Sequence, residues 1–405
     1  MKNKSILFLT KDAFNRTYLP TYGNMMWKTP NIDELALKGS VFTNHHTGAP
    51  STIMSNMCMF TKLNSYESGL SDYTFSKKRH VGETLWTRAE SEGYECHIIW
   101  DHAWDTVFRA RERYYCYGEN TIIHSIEGIR QGVGAHYVHP DFLVQDLSKF
   151  EKVKDILEKE IIQILKQTNK PVFLWMHIPH VINGFTGYGS DIEAFDQIVG
   201  IGRHYFSDDF IFISADHGNM NGEKGKLCYG FDVYEPNARI PLITPLINNT
   251  PKIELLTSNV DITTIIFDRI VPHRDFIFCD SAFYAQPKRK LAILYGHYKY
   301  IYNKQTQSEE LYDLEYDPNE NCNLISDYVY DSDRNTTVPL RELYFYPNWE
   351  QIEEVRTLLK QKKDEVWKSL NKKQSFLFNI FFYLRKNRIT NVLLTPFKFI
   401  VRRKS

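Results

Sequence analysis

Cysteine is sparse and unpatterned in this chain of 405 residues: Cys58, Cys96, Cys116, Cys228, Cys279 and Cys322 stand apart, with no C-x-x-C pair among them. That spacing excludes a zinc-ribbon or disulfide framework and reads as reduced thiols. Net charge is lacking too. The 49 basic and 49 acidic residues cancel, so no global field draws the chain to nucleic acid, and none is expected as a partner. Long apolar runs are missing as well. Met1-Lys2-Asn3-Lys4 has the charge of a leader, but the apolar run behind it is only Ile6 to Leu9, which predicts no cleavable signal. No stretch reaches the length needed to span a bilayer. Acidic residues stop at Glu365, so every charged residue in the last forty positions is basic. What remains, with 42% apolar residues, is enough for one large α/β core and a smaller appendage.

Three short apolar runs end in polar groups. Ile6-Leu7-Phe8-Leu9-Thr10-Lys11 runs into Asp12; Pro171 to Ile178 runs into Pro179-His180, with His177 just before the end; Phe210-Ile211-Phe212-Ile213-Ser214-Ala215 runs into Asp216-His217-Gly218. Continuous apolar runs of this length predict buried strands, and sites in open α/β sheets gather beyond the carboxyl ends of such strands. A fourth stretch, Phe42 to Lys62, reads as a strand end, a small-residue turn (Gly48-Ala49-Pro50-Ser51) and a helix, because Met54, Met57, Cys58 and Phe60 return at helical spacing. Ser51 or Thr52 at that helix start is a plain N-cap on one reading. On the other it is a nucleophilic hydroxyl set at the positive end of a helix.

These stretches together resemble the alkaline phosphatase/sulfatase superfamily across most of residues 5–325. Thr29-Pro30-Asn31-Ile32-Asp33-Glu34-Leu35-Ala36, Gly39 and Phe42-Thr43-Asn44 are similar to its TPNIDxLA…G…FTN segment, and counting on from Phe42 puts Thr52 where the family keeps its nucleophile. Thr52 with Cys58-Met59-Phe60-Thr61 also resembles the T-x5-CMFS pattern of phosphoethanolamine transferases. Sulfatases carry Cys or Ser in a C/S-x-P-S-R context and oxidise it to formylglycine. Here the segment is Thr52-Ile53-Met54-Ser55-Asn56, without the oxidisable residue, the Pro or the Arg. A threonine cannot give formylglycine. The resemblance therefore points to phosphorus chemistry, with Asn56 as a candidate substrate contact.

The resemblance also implies that Asp12, Thr52, Asp216 and His217 hold a divalent metal, one ion of manganese, magnesium or zinc. It makes Thr52 and His180 catalytic, nucleophile and acid, with His177 a possible substrate contact or only a support for its strand end. Lys224 stands where the family's GEHG segment has His; Lys224 and Lys226 are either phosphate-binding cations or solvated loop charges. Asp261, in Asn259-Val260-Asp261-Ile262, reads as a cap. Gly296 to Ile301 and Glu310 to Leu324 resemble the family's final hairpin.

Elsewhere the pattern predicts helices over 29–38, 81–92, 146–168 and 352–370, a strand over 94–101, and a variable aromatic segment over 102–140 covering the site. The expected fold is α/β: an alkaline phosphatase-like, mostly parallel central sheet flanked by helices, with a small C-terminal antiparallel sheet and a helical basic tail. The catalytic domain is placed at 1–345, including a subdomain at about 290–345, and the tail at 346–405. Aromatic residues from Phe376 to Tyr383, with the Arg and Lys beyond them, suit an anionic membrane surface, the alternative being a tail that packs on a partner or a second subunit. The functional expectation is a cytoplasmic transferase, peripheral at the inner membrane face. It takes a phosphoglycerol- or phosphoethanolamine-type group from a phospholipid or nucleotide-linked donor to a surface glycan or its precursor, through a phospho-threonine. The alternatives are a phosphodiesterase or sulfatase-like hydrolase of the same fold, and a non-catalytic scaffold.

Overall fold

The computed structural model describes residues 4–68, 82–104, 117–118, 120–129, 147–182, 188–281, 289–331, 333–340 and 349–373. Most of the segment 105–146 and the tail beyond 373, with the expectations attached to them, lie outside the described residues, as does Cys116. The other five cysteines are buried and form no disulfide among the described residues.

Eight strands form one sheet: β1 (Ile6–Lys11), β2 (Ser40–Phe42), β3 (Glu95–Asp101), β4 (Ile122–Ile126), β5 (Val172–Ile178), β6 (Ile211–Ala215), β7 (Leu242–Thr244) and β8 (Lys252–Ile253), in the order β8-β2-β7-β6-β1-β5-β3-β4. Only β7 runs against its neighbours. β1 lies in the middle, parallel to β5 on one side and β6 on the other.

Strands β1, β5 and β6 are buried throughout and largely apolar because both faces are covered, and alternate residues serve different layers. Leu7, Leu9, Leu174, Met176, Ile211 and Ile213 pack under helices α1 (Pro30–Lys38), α4 (Leu147–Gln167) and α5 (Tyr188–Tyr205). Ile6, Phe8, Phe173, Trp175 and Phe212 pack under α2 (Thr52–Thr61), α3 (Leu85–Ser91) and α6 (Ile262–Phe267). Helix α3 starts later than the predicted position 81. Thr84 is its N-cap, and the Thr84 and Thr87 hydroxyls cap each other's backbone N–H.

Register places the site. Lys11, the last residue of β1, stands opposite Ile178 and Ala215, the last residues of β5 and β6. The residues just past these three strand ends therefore emerge at one rim: Asp12, Pro179-His180 and Asp216-His217.

A four-stranded antiparallel sheet comes next: β9 (Phe276–Asp280), β10 (Lys290–Tyr295), β11 (Tyr298–Asn303) and β12 (Ser308–Asp313). It begins one strand earlier than the boundary near 290, because Phe276-Ile277-Phe278-Cys279-Asp280 pairs with β10. Gly296, at φ +57°, makes the tight turn between β10 and β11 that a Cβ would strain. Lys299 of β11 is fully buried, with its ammonium 2.8 Å from both Glu235 Oε1 and Glu320 Oε1. Lys299→Met strands two neighbouring carboxylates, so we expect chemical denaturation to show a loss of about 3 kcal/mol or more. Helix α7 (Trp349–Lys373) closes the described chain. The chain divides into compact units at 1–359 and 360–405.

Candidate active site

Asp12 leaves β1 with its N–H bonded to the Ile178 carbonyl at 2.9 Å. The next residue, Ala13, turns into the left-handed region (φ 54°) and gives its N–H to Asp216 Oδ1 at 3.0 Å. His217 N–H reaches the same oxygen at 2.7 Å, and Phe14 N–H bonds the His217 carbonyl at 2.7 Å. The loops after β1 and β6 are thus stitched together. Gly218 lets the second loop lie against residues 236–237, since a Cβ there would fall 1.9 Å from the Pro236 carbonyl oxygen.

His217 has its orientation set by one bond. Nδ1 lies 2.8 Å from the Gly218 carbonyl, an acceptor only, so Nδ1 carries the hydrogen and Nε2 presents a lone pair. That Nε2 stands 3.2 Å from Thr52 Oγ1, 3.4 Å from Asp216 Oδ2 and 3.7 Å from Asp12 Oδ1. Thr52 Oγ1 in turn is 3.3 Å from Asp12 Oδ1. Four side chains from positions 12, 52, 216 and 217 therefore converge.

Thr52 is the first residue of α2, and Ser51 takes the N-cap position but makes no side-chain cap bond. The Ser51 hydroxyl is buried without a partner. The positive end of the helix is accordingly left to the half-buried Thr52 and whatever approaches it. Asn259 anchors this helix start. Its Oδ1 accepts from Gly48 N–H at 2.9 Å and its Nδ2 donates to Ser55 Oγ at 2.8 Å, while the Ser55 hydroxyl bonds the Asp216 carbonyl. Asp261 accepts from Ser258 N–H at 2.9 Å and pairs with Arg274, a structural position.

The donor set fits a divalent cation. One ligand atom each from Asp12, Asp216 and His217 lies within 4.8 Å of the others. Asp216 Oδ2 is buried with no hydrogen-bond donor, and so is His177 Nε2, 3.6 Å from it. Burial, and then the charge of Asp12, push the Asp216 carboxyl up to about 6, against the pull of His217. Two carboxylates crowded this way call for a compensating positive charge.

The remaining candidates have other surroundings. His177 is buried on β5, with Nδ1 2.8 Å from the Thr10 hydroxyl, and burial pushes its imidazole down to about 3, so it stays neutral. His180 Nδ1 bonds Asp191 Oδ2 at 2.9 Å. Asn56 lies one turn below Thr52 on α2, wholly buried, with neither amide atom hydrogen-bonded. Lys224 gives its ammonium to the Glu320 carbonyl and lies 5.5 Å over the rings of Tyr234 and Tyr312. Lys226 bonds Asp232 at 2.8 Å. Neither lysine joins the Asp12–Thr52–Asp216–His217 group: Lys224 is engaged by Glu320, beyond β12, and Lys226 by Asp232, six residues on. Lys11, Asp191 and Asn259 are not singled out by the sequence; as single letters they carry no pattern, and their partners lie far off along the chain.

A family model described as Sulfatase matches residues 4–190. The chain is 29% identical over 190 residues to choline-sulfatase of Rhizobium meliloti (strain 1021), an alignment covering 38% of this chain. The match spans about a third (36%) of that enzyme's length. Solved structures sharing the fold include a 2-O GAG sulfatase (TM-score 0.64, 15% identity, 91% of this chain and 94% of that one). Another is the phosphonate monoester hydrolase of Agrobacterium radiobacter (TM-score 0.60, 16% identity, 89% and 96%). The chain thus shares its fold with alkaline phosphatase/sulfatase superfamily proteins, and its residues 4–190 are similar to the Sulfatase family.

Proposed function

We propose that this protein is a metal-dependent hydrolase of anionic esters, with Thr52 as its nucleophile and phosphodiesters as its substrate class. The observation that carries the reading is the convergence of Thr52 Oγ1 with Asp12 and His217 at a helix start whose N-cap side chain is unused. The likeness to choline-sulfatase favours hydrolysis over transfer. Threonine in place of an oxidisable residue favours phosphorus over sulfur, because it cannot form the aldehyde hydrate through which a sulfatase releases sulfate.

A divalent ion held by Asp12, Thr52, Asp216 and His217 would lower the pKa of the hydroxyl and screen the ester's charge. Carboxylates with one imidazole suit manganese, magnesium or zinc. The chain's own contribution is placement: the helix start faces the anionic group, the Gly218 carbonyl aims His217, and backbone N–H groups hold Asp216 Oδ1. A second reading, transfer of the phospho-group from threonine to a glycan hydroxyl, is supported by the transferase-like Thr52…Cys58-Met59-Phe60-Thr61 run. Both readings share the same first half-reaction.

Metal-loaded protein should be incubated with bis(p-nitrophenyl) phosphate, p-nitrophenyl sulfate, and phospholipid and nucleotide-linked donors, each with and without glycan acceptors, and the products read by mass spectrometry. We expect phosphodiester turnover, and a phospho-adduct on the peptide containing Thr52. Faster release from the sulfate ester would overturn the phosphodiester assignment. Acceptor-dependent product would favour transfer.

A further inference from the structure

Asp191, near the start of α5, is fully buried and has all of its acceptor capacity in use. Oδ1 takes the backbone N–H groups of Val181 at 2.8 Å and Ile182 at 2.9 Å. Oδ2 takes the ammonium of Lys11 and Nδ1 of His180, the latter at 2.9 Å. Lys11 is itself completely buried, so its charge has no solvent to face. Burial alone would push the Asp191 carboxyl up, but the Lys11 ammonium and the His180 bond bring it down to about 2, which keeps it ionised. A carboxylate only accepts, so the imidazole nitrogen facing it must carry a hydrogen. His180 therefore has Nδ1–H committed to Asp191, and its Nε2 makes no hydrogen bond among the described residues.

The placement of this trio comes from the strand register. Lys11 is the residue before Asp12, and it pairs with Ile178, two residues before His180. The same β1–β5 pairing that delivers Asp12 to the rim thus delivers the imidazole to that rim. A buried lysine–aspartate pair gives no advantage over apolar packing in stability alone. Here it ends on an imidazole with one nitrogen left open.

We infer that Asp191, seated by Lys11, is a positioning residue that holds His180 with Nε2 as the atom delivering a proton to the leaving oxygen. This rests on the hydrolase reading above. Thr52 enters as the alkoxide, its proton already lost to water. Its Oγ forms a bond to phosphorus as the bond from phosphorus to the leaving oxygen breaks, and that oxygen takes the proton from Nε2 of the protonated imidazole. In the second half-reaction, neutral Nε2 takes a proton from a water whose oxygen bonds phosphorus. The Thr52 Oγ–phosphorus bond then breaks, and alkoxide and imidazolium are restored. Throughout, Nδ1–H stays on Asp191.

The test compares two diesters, ethyl p-nitrophenyl phosphate, whose leaving group needs no proton, and ethyl phenyl phosphate, which needs one. With metal-loaded Asp191→Asn we expect a loss of about a hundredfold on the phenyl ester and less than about fivefold on the p-nitrophenyl ester. The double variant Asp191→Asn/His180→Gln should be no slower than His180→Gln alone. Equal losses on both esters, or additive losses in the double variant, would overturn the assignment and leave a purely structural role. Nitrogen-15 spectra of the imidazoles in the wild-type protein give a readout independent of turnover and of whether the variant folds. We expect Nδ1–H at His180, and a shift toward Nε2–H in Asp191→Asn, whose amide can donate. Nε2–H in the neutral wild-type ring would also refute it. If the wild type hydrolyses neither ester, the hydrolase reading fails, and the spectra alone decide whether Asp191 sets the ring.

Discussion

Thr52→Ala should abolish turnover of phosphodiesters, by at least about ten-thousandfold in kcat, while leaving the thermal transition nearly unchanged. The hydroxyl carries none of the loop-to-loop bonds. Ala13, Phe14 and His217 tie the two strand-end loops without it. Three ligand atoms from Asp12, Asp216 and His217 remain, so elemental analysis should still find a divalent ion in the variant. Thr52→Ser should keep a measurable fraction of the rate, since only a methyl group is lost. Ser51→Ala should be close to wild type, because its hydroxyl has no partner and lies outside the converging group. If Thr52→Ala retained substantial activity and Ser51→Ala did not, the nucleophile would be the neighbouring hydroxyl.

Removing the ion is expected to cost both rate and stability, whereas removing the charge of Asp216, whose Oδ2 has no hydrogen-bond donor, should cost rate without costing the metal-free fold stability. Chelation should reduce activity to background, and re-addition should restore it. At a hundredfold excess over its Kd the ion stabilises the fold by about 3 kcal/mol, so the chelated protein melts earlier. Asp216→Asn keeps an oxygen for the Ala13 and His217 N–H groups but loses the charge at the second oxygen. Its metal affinity should fall by more than about a hundredfold, read by calorimetric titration. In the metal-free state the same substitution relieves the repulsion between Asp216 and Asp12. Metal-free Asp216→Asn should therefore melt at or above metal-free wild type. A lower melting temperature for that variant without metal would mean that Asp216 is chiefly a structural acceptor.

The parts of the fold legible in the sequence were those with a local physical signature. β1, β5 and β6 announce themselves as apolar runs because both faces are covered, and each run ends in the polar group that the rim needs. Helix α2 was readable from the break at Gly48-Ala49-Pro50 and the returning apolar period, and the count that chose Thr52 over Ser51 agrees with which hydroxyl meets Asp12 and His217. What could not be read depends on long-range closure. Lys11 looks like a surface lysine at a strand end until α5 brings Asp191, 180 positions on, against it. Asn259 looks like a helix-start residue until its amide is seen bridging Gly48 and Ser55. Lys224 looks like a free loop cation until the chain beyond β12 brings the Glu320 carbonyl, 96 positions on, against it.

Because β1 and β6 are the two central strands, the proposed metal ligands Asp12, Asp216 and His217 hang from the strands farthest from either border of the sheet, with Thr52 brought to them by helix α2. Fraying at β8 or β4 leaves them where they are, so exchange of the β1 amides with solvent should require the whole body to open. Evolution or engineering can then rework the borders, where acceptor-recognising insertions would be tolerated, without loosening the chemistry at the centre.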